Sequence, residues 1–175
     1  YFLILLLLCI FTSIFTSIFT SILTYSVISK IDLSINPPSY AVESNTYLVI
    51  DVIDGDTIKV ERENKVATVR LIGIDAPEVR QKECKYKEST EYLEELILNK
   101  RVNLEADFTQ ENTDRYGREL RYIFINNLNV NKQMLTAGMA KEYTYRQHYK
   151  YQLEFILEEK NAILQSRGVW SSECN

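Results

Sequence analysis

The sequence predicts an α+β protein, in which a five-stranded β-barrel with about three helices follows an N-terminal hydrophobic helix. The first 29 of the 175 residues contain no Asp, Glu, Lys, Arg or His, so every charged residue follows them. β-rich segments separated by turn residues come next, and apolar residues at helical spacing are most frequent late in the chain. This length leaves room for one compact domain of about 100–150 residues.

The apolar leader, residues 1–29, exceeds the roughly 20 residues that a membrane-spanning helix needs. We expect it to be a signal anchor, and the alternative is a cleaved signal peptide. Either one makes the rest of the chain extracytoplasmic, as a membrane-anchored or a secreted domain. Residues 30–45 contain Pro37 and Pro38 with several Ser and Asn, which is typical of a linker.

Five β-rich segments follow the linker, at residues 46–53, 57–62, 66–72, 102–106 and 120–125. The first two flank Asp54-Gly55-Asp56, and Asp-Gly between such segments is a strong hairpin signal. The third is apolar on both faces, as in a closed barrel. It also carries Arg70, which requires an anionic partner.

Helical spacing predicts helices over residues 88–100 and 131–137, and a last helix that ends before Gly168. The last helix is expected to place a row of residues on one apolar side: Tyr149, Leu153, Ile156, Leu157, Ile163 and Leu164. Five strands with helices inserted late form an OB-like arrangement. We expect the domain to span residues 46–171 and a tail to occupy residues 172–175.

Charge and composition exclude several classes of function. The net charge of −4 argues against the broad basic face of a protein that grips duplex DNA through many phosphates. A single histidine, His148, and three scattered cysteines leave no zinc site, no Ser-His-Asp triad and no Cys-His pair. Cys84 and Cys174 could pair in an oxidising compartment or remain free thiols.

Three carboxylates carry the predicted chemistry. Asp56 follows a tight turn and Asp75 ends a strand, so both could bind one cation if the first and third strands are neighbours. Oxygen-only ligation suits Ca²⁺ or Mg²⁺. Pro77 makes a stiff turn that separates Glu78 from Asp75, which allows Glu78 to orient a water beside the metal.

Two arginines complete the pattern. Arg70 and Arg118 can each present a planar guanidinium to phosphate oxygens and stabilise the charge that grows in the transition state. Each short motif alone has roughly a one-in-ten chance of being functional. Their joint occurrence predicts a metal-dependent phosphodiesterase. For the tyrosine cluster from Tyr143 to Tyr151, packing in the core is at least as good an interpretation as base stacking.

The motifs at residues 54–57, 70–71, 75–78 and 114–118 closely resemble those of the thermonuclease family, typified by staphylococcal nuclease. The resemblance covers about residues 46–171. It implies an OB-fold and a nuclease that uses one Ca²⁺ ion to cut DNA and RNA, leaving 3′-phosphate ends. We expect a monomer that prefers single strands and contacts the membrane through residues 1–29 if these are not cleaved.

Carried over by position, the resemblance implies that Asp56 and Asp75 are side-chain calcium ligands. The backbone carbonyl of Ala76 would be a third ligand. Glu78 resembles the general base, while Arg70 and Arg118 resemble the pair that binds phosphate and takes part in catalysis.

The remaining residues carried over by the resemblance surround this centre. Asp54 resembles a carboxylate that supports the metal ligands from behind. Four residues resemble those that bind substrate: Asp114, Tyr116, Tyr143 and Tyr145. The alternative is a non-catalytic OB-fold module that binds single-stranded nucleic acid. Such degenerate domains usually lack the acidic residues or the arginines of the catalytic centre. All five of these residues are present here: Asp56, Arg70, Asp75, Glu78 and Arg118.

Overall fold

The computed structural model describes residues 46–174, so the predicted hydrophobic helix and the linker lie outside the described residues. Its strands are β1 (Thr46–Asp54), β2 (Thr57–Arg62), β3 (Lys65–Leu71), β4 (Ile74–Asp75), β5 (Arg101–Glu105), β6 (Glu119–Ile125), β7 (Leu128–Asn129) and β8 (Lys141–Glu142). Its helices are α1 (Tyr86–Ile97), α2 (Val130–Thr136) and α3 (Gln152–Leu164), followed by a 3₁₀ turn at Gly168–Trp170. Among these residues no helix has the length and apolar character needed to cross a membrane.

Five strands close into a barrel. β1, β2 and β3 form two consecutive antiparallel hairpins, and β5 joins β1 to β6. The barrel closes where β3 runs parallel to β6, with Arg70 opposite Leu120. The predicted five-stranded barrel with three helices is therefore confirmed, and it agrees with an OB-like arrangement. The first and third strands are not neighbours, however, because β2 lies between them.

The core fills the barrel and the space between it and the helices. Alternate residues of the strands point inward, so Val49, Ile58, Val60, Val69 and Ile123 are fully buried. Asn131 on α2 is also fully buried, and its side chain is hydrogen-bonded on both sides. It accepts from the amide of Ile123 and donates to the carbonyl of Ile72, each at 2.9 Å. This amide side chain therefore fixes α2 to the barrel.

The predicted apolar side of the last helix is wrong. α3 begins at Gln152, after Tyr149, and the side chains of Leu153 and Leu164 are 79% and 82% exposed. Phe155 and Ala162 are buried instead. Phe155 stacks on Tyr151 and meets Tyr122 edge to face, so this aromatic cluster determines which side of α3 faces the core.

Two features outside the barrel hold the segment that follows β3. The two-residue strands β4 and β8 pair with each other, and Asp75 lies opposite Lys141. A disulfide joins Cys84 to Cys174 with their Cα atoms 5.5 Å apart, which resolves the pairing that the sequence left open. The segment from Asp75 to Cys84 is thus attached at both ends.

Candidate active site

Asp56 lies in the two-residue turn between β1 and β2, where close packing requires the neighbouring glycine. A Cβ atom on Gly55 would lie 1.9 Å from the Ser89 hydroxyl oxygen of α1 and 2.7 Å from Cβ of Ala76. Asp54 secures the turn, since its carboxylate accepts from the amide of Asp56 at 3.0 Å. Asp54 thus contacts the backbone of a predicted metal ligand, and its supporting role stays a prediction.

The Asp56 carboxylate is buried, with 6% of the residue exposed. One oxygen accepts from the amide of Ala76 at 2.8 Å, and the other accepts from the Thr57 hydroxyl at 2.9 Å. Burial raises the pKa of Asp56 to about 7, because desolvation outweighs the opposing effect of Arg70, and the Asp54 carboxylate adds to the rise. A buried carboxylate of this kind is stabilised in its charged form by a nearby cation.

Arg70 provides one such cation and links the two predicted ligands. Its Nε lies 3.0 Å from Asp56 Oδ1, and its Nη2 lies 2.9 Å from Asp75 Oδ1. Its Nη1 donates to the carbonyls of Leu71 and Ile74 at 2.8 and 2.7 Å. With 13% of its side chain exposed, the guanidinium is held in one orientation between Asp56 and Asp75.

Arg118 is held by the loop that precedes β6. Its Nε lies 2.6 Å from Asp114 Oδ2, and the other Asp114 oxygen accepts from the amides of Tyr116 and Arg118. Burial alone would raise the pKa of Asp114, but these hydrogen bonds and the positive charge of Arg118 lower it overall. Arg118 also donates to the Thr57 hydroxyl at 3.3 Å. Thr57 therefore connects Arg118 to the carboxylate of Asp56.

Glu78 lies on the loop between β4 and α1, and it is exposed. Its amide donates to the Glu83 carboxylate at 3.1 Å, and the amide of Glu83 donates back to the Glu78 carbonyl at 3.3 Å. Within residues 46–174 no hydrogen bond or ion pair engages the carboxylate of Glu78 itself. That carboxylate is therefore available to a water molecule or a substrate.

These groups line a cavity of about 960 Å³, whose outer wall carries the tyrosines. Tyr116, Tyr143 and Tyr145 are 68%, 43% and 58% exposed. The guanidinium of Arg115 lies 4.7 Å from the Tyr116 ring centre, and that of Arg146 lies 4.9 Å from the Tyr145 ring centre. The wall thus offers aromatic faces beside positive charge, a combination typical of proteins that bind single-stranded nucleic acid.

Tyr149 belongs to the core, as the alternative interpretation of the tyrosine cluster predicts. It is 6% exposed, and its hydroxyl donates to the Glu142 carboxylate at 2.9 Å. Burial, followed by the hydrogen bond to Glu142, raises its pKa well above the ordinary value. Tyr149 therefore stays protonated and closes the inner end of the cavity.

Nearly all the residues that the sequence singled out share this cavity. Ten of them line it: Asp54, Asp56, Arg70, Asp75, Glu78, Asp114, Tyr116, Arg118, Tyr143 and Tyr145. Ala76 does not line it, but its amide is bonded to Asp56. Sequence reasoning gave no role to Thr57 or Arg146. Thr57 directly follows a predicted metal ligand, and Arg146 directly follows a predicted substrate-binding tyrosine. Their positions next to predicted site residues could therefore have indicated that both belong to the cavity.

The donor set suits a hard cation. The candidate ligands are the carboxylates of Asp56 and Asp75 and the main chain at Ala76, whose amide contacts Asp56. The ligand atoms that they offer are all oxygens, which Ca²⁺ and Mg²⁺ prefer. Among residues 46–174 no cluster of three or more His, Cys, Asp or Glu side chains is arranged to hold a metal. A metal at this site would therefore depend on main-chain oxygen or water as well as on Asp56 and Asp75.

Comparison with known proteins gives consistent matches. The family model described as staphylococcal nuclease homologue matches residues 68–172. A thermonuclease from Staphylococcus hyicus is 35% identical over 131 residues, which cover 73% of this chain and 76% of that protein. An uncharacterized endonuclease from Escherichia coli O157:H7 is 36% identical over 124 residues, or 70% of this chain and 75% of that protein. Endonuclease YncB from Bacillus subtilis (strain 168) is 33% identical over 124 residues, or 68% of this chain and 58% of that protein.

Proposed function

Because this chain belongs to the staphylococcal nuclease homologue family, we propose that it is a Ca²⁺-dependent endonuclease that hydrolyses DNA and RNA to 3′-phosphate ends. The substrate is bound as a single strand, and the enzyme acts as an extracytoplasmic monomer. The apolar leader, which lies outside the described residues, either anchors it in the membrane or directs its secretion.

One observation carries the proposal: the two arginines and the two carboxylates are linked by ion pairs and hydrogen bonds at one cavity. Arg70 contacts both Asp56 and Asp75. Arg118 reaches Asp56 through the Thr57 hydroxyl. A phosphodiester at this cavity would therefore meet two planar cations and carboxylate oxygens together, the groups that stabilise developing charge and hold a metal ion in phosphodiester hydrolysis.

The residues present fit one calcium ion. Asp56 and Asp75 would hold it with their carboxylates, and the main-chain carbonyl of Ala76 would be a third ligand. Burial raises the pKa of Asp56, so ionising its carboxylate costs free energy. A divalent cation beside the carboxylate offsets that cost, which favours cation binding at this site. When bound, Ca²⁺ supplies Lewis-acid polarisation of a phosphate oxygen.

The chain's own groups perform the proton transfer and the charge stabilisation. The free carboxylate of Glu78 accepts a proton from the attacking water, which then forms the new bond to phosphorus. The bond from phosphorus to the 5′ oxygen breaks, that oxygen takes up a proton from solvent to become a hydroxyl, and the phosphate stays on the 3′ end. Arg70 and Arg118 donate hydrogen bonds to the phosphate oxygens as their negative charge increases.

Substrate contacts come from the outer wall. The faces of Tyr116, Tyr143 and Tyr145 stack on bases with little sequence preference, at about 1–3 kcal/mol per base. Asp114 acts by orienting Arg118 through its carboxylate. Arg115 and Arg146 make the wall locally basic, which reconciles nucleic-acid binding with a net charge of −4.

The test is cleavage of single-stranded DNA by the purified protein with Ca²⁺ and with the metal chelated. We expect cleavage only with Ca²⁺, with products that end in 3′-phosphate. A folded protein that binds single-stranded DNA but cuts neither DNA nor RNA under any metal condition would contradict the proposal and favour the non-catalytic binding module.

A further inference from the structure

The loop that carries Glu78 is held by a crosslink to the far end of the described chain. Cys84 and Cys174 form a disulfide across a sequence separation of 90 residues. Beside it, Lys85 Nζ lies 2.6 Å from Glu173 Oε2. We define the staple as these two contacts, Cys84–Cys174 and Lys85–Glu173. Both involve the last two residues of the loop, directly before α1.

The other side of the staple is itself anchored. The amide of Cys174 donates to the carbonyl of Ser171, and the amide of Val169 donates to the carbonyl of Gly138. A Cβ on Gly168 would lie 2.0 Å from that same carbonyl oxygen. The segment at Gly168, just before the tail, therefore packs directly against the residues that follow α2. The staple therefore ties the Glu78 loop to a fixed part of the fold.

Inside the loop, the position of Glu78 depends on Glu83. The two residues exchange hydrogen bonds, with Glu78 donating to the Glu83 carboxylate and Glu83 donating to the Glu78 carbonyl. Glu83 directly precedes Cys84. A displacement of Cys84 is thus transmitted through one residue to the backbone of Glu78. At the other end of the loop, the pairing of Asp75 with Lys141 does not involve the staple.

We propose that the Cys84–Cys174 disulfide is a positioning device for Glu78, and that full activity at this site requires the oxidised disulfide. This inference rests on the proposed nuclease function. In the oxidised protein both ends of the Glu78 loop are fixed, so the general base is held beside the water that it deprotonates. After reduction the hydrogen bond from the Tyr86 amide to the Glu83 carbonyl and the packing of α1 remain. The contact with the far end of the chain is then left to the ion pair of Lys85 with Glu173, and pairs at the surface contribute little.

The first experiment reduces the disulfide in the full chain with Cys9 changed to Ser, so that Cys84 and Cys174 are the remaining cysteines. Dithiothreitol converts the disulfide to two thiols and is itself oxidised to its cyclic disulfide. Amide hydrogen exchange is then compared between the two states. We expect exchange at Glu78 and Glu83 to accelerate by about tenfold or more after reduction, while the amide of Ile123 in β6 is unchanged. Equal exchange at Glu78 and Glu83 in both states would overturn the proposal.

The second readout separates positioning from general stability. We expect reduction to lower kcat by about tenfold or more with KM changed less than about twofold, and reoxidation to restore kcat. The double variant Cys84→Ser/Cys174→Ser should match the reduced protein, provided that it is assayed well below its melting temperature. Leu135→Ala, which removes a buried side chain of α2, is the control, since it should lower the melting temperature without lowering kcat.

The outcomes distinguish the two proposals. An oxidised protein that shows no Ca²⁺-dependent cleavage overturns the nuclease function and, with it, the role assigned to the staple. An oxidised protein that cleaves, and whose kcat is unchanged after reduction, overturns the positioning role alone.

Discussion

At the scale of single residues, Arg70 shows how one side chain organises the site. Four hydrogen-bonding contacts hold its guanidinium: two carboxylates and two main-chain carbonyls. An arginine on a half-buried strand face requires an anionic partner, and the sequence alone could not say which one. The structure assigns it both Asp56 and Asp75, so the proposed phosphate binding and the proposed metal binding involve the same group.

Changing Glu78 to Gln should lower kcat by about 10²- to 10⁴-fold, because the amide cannot accept a proton from water. Fold and Ca²⁺ affinity should be retained, since no hydrogen bond or ion pair joins the Glu78 carboxylate to another described residue. The measurements are steady-state kinetics and calorimetric titration with Ca²⁺. Glu91→Gln on the exposed side of α1 is the matched control and should keep wild-type activity. Undiminished cleavage by the Glu78 variant would exclude it as the general base.

Asp107 is a buried carboxylate to which sequence reasoning gave no role. It accepts from the amides of Thr109 and Lys150 and from the hydroxyl of Tyr122, at 2.9, 2.8 and 2.7 Å. Burial alone would raise the pKa of Asp107, but these hydrogen bonds together lower it. The ionised carboxylate therefore joins the loop after β5 to the segment that leads into α3.

Asp107→Asn should destabilise the protein by about 1–3 kcal/mol at neutral pH, because one of these donors loses its acceptor. A lowered folded-state pKa means that the stabilisation is present above the unfolded pKa of about 3.9 and is lost as pH falls through the folded value. The difference between variant and wild type should thus shrink below about pH 4. Urea unfolding at a series of pH values measures this difference in stability. A difference that is constant with pH would refute the stabilising role assigned to the ionised Asp107 carboxylate.

At the scale of elements, α3 shows why helical periodicity alone misled. Leucines at positions 153, 157 and 164 suggested an apolar face, yet all three are more than half exposed. The aromatic cluster of Tyr122, Tyr151 and Phe155 determines the rotation of the helix instead. The ring area that Phe155 buries at a single position outweighs the small area that these largely exposed leucines bury.

Phe155→Ala should destabilise the protein by about 3–5 kcal/mol, since it empties a fully buried site. Leu157→Gln on the same helix should change stability by less than about 0.5 kcal/mol, because that side chain is 60% exposed. Denaturant unfolding of both variants provides the comparison. If the leucine variant is as destabilised as the phenylalanine variant, the orientation of α3 described here is incorrect.

At the scale of the whole molecule, closure of the barrel builds the site. β3 and β6 run side by side although about 50 residues separate them, and their pairing sets Arg70 opposite Leu120, two residues after Arg118. The pairing of Thr57 with Arg70 in the hairpin of β2 and β3 brings the turn that carries Asp56 to the same edge. The predicted route, direct contact of the first and third strands, is replaced by these two pairings.

Ca²⁺ should raise the free energy of unfolding of the whole domain, by about 2.7 kcal/mol at a concentration 100-fold above its Kd. Asp56→Ala and Asp75→Ala should remove this gain, while Asp51→Ala should keep it. Asp51 is the matched control, since its partly exposed carboxylate pairs with Lys59. Thermal unfolding with and without Ca²⁺ measures the effect, and an equal gain in all three variants would place the calcium site elsewhere.

The sequence by itself determined the local parts of this protein. Strand positions, the hairpin turn before Asp56 and the clustering of acidic and basic motifs depend on short-range periodicity and turn chemistry, so they could be predicted within a few residues. The family resemblance, now supported by the match over residues 68–172, supplied the expected roles of those motifs.

Only the tertiary structure decided which of these parts meet. Four features join residues that are distant in sequence: the pairing of β3 with β6, the double contact of Arg70, the packing of α3 on its buried side and the disulfide of Cys84 with Cys174. Such contacts form because the whole chain minimises exposed apolar surface and unpaired polar groups together. The sequence of one segment does not determine which distant residues it contacts, because that choice depends on apolar burial and polar pairing over the whole chain. These contacts are therefore known only from the folded structure.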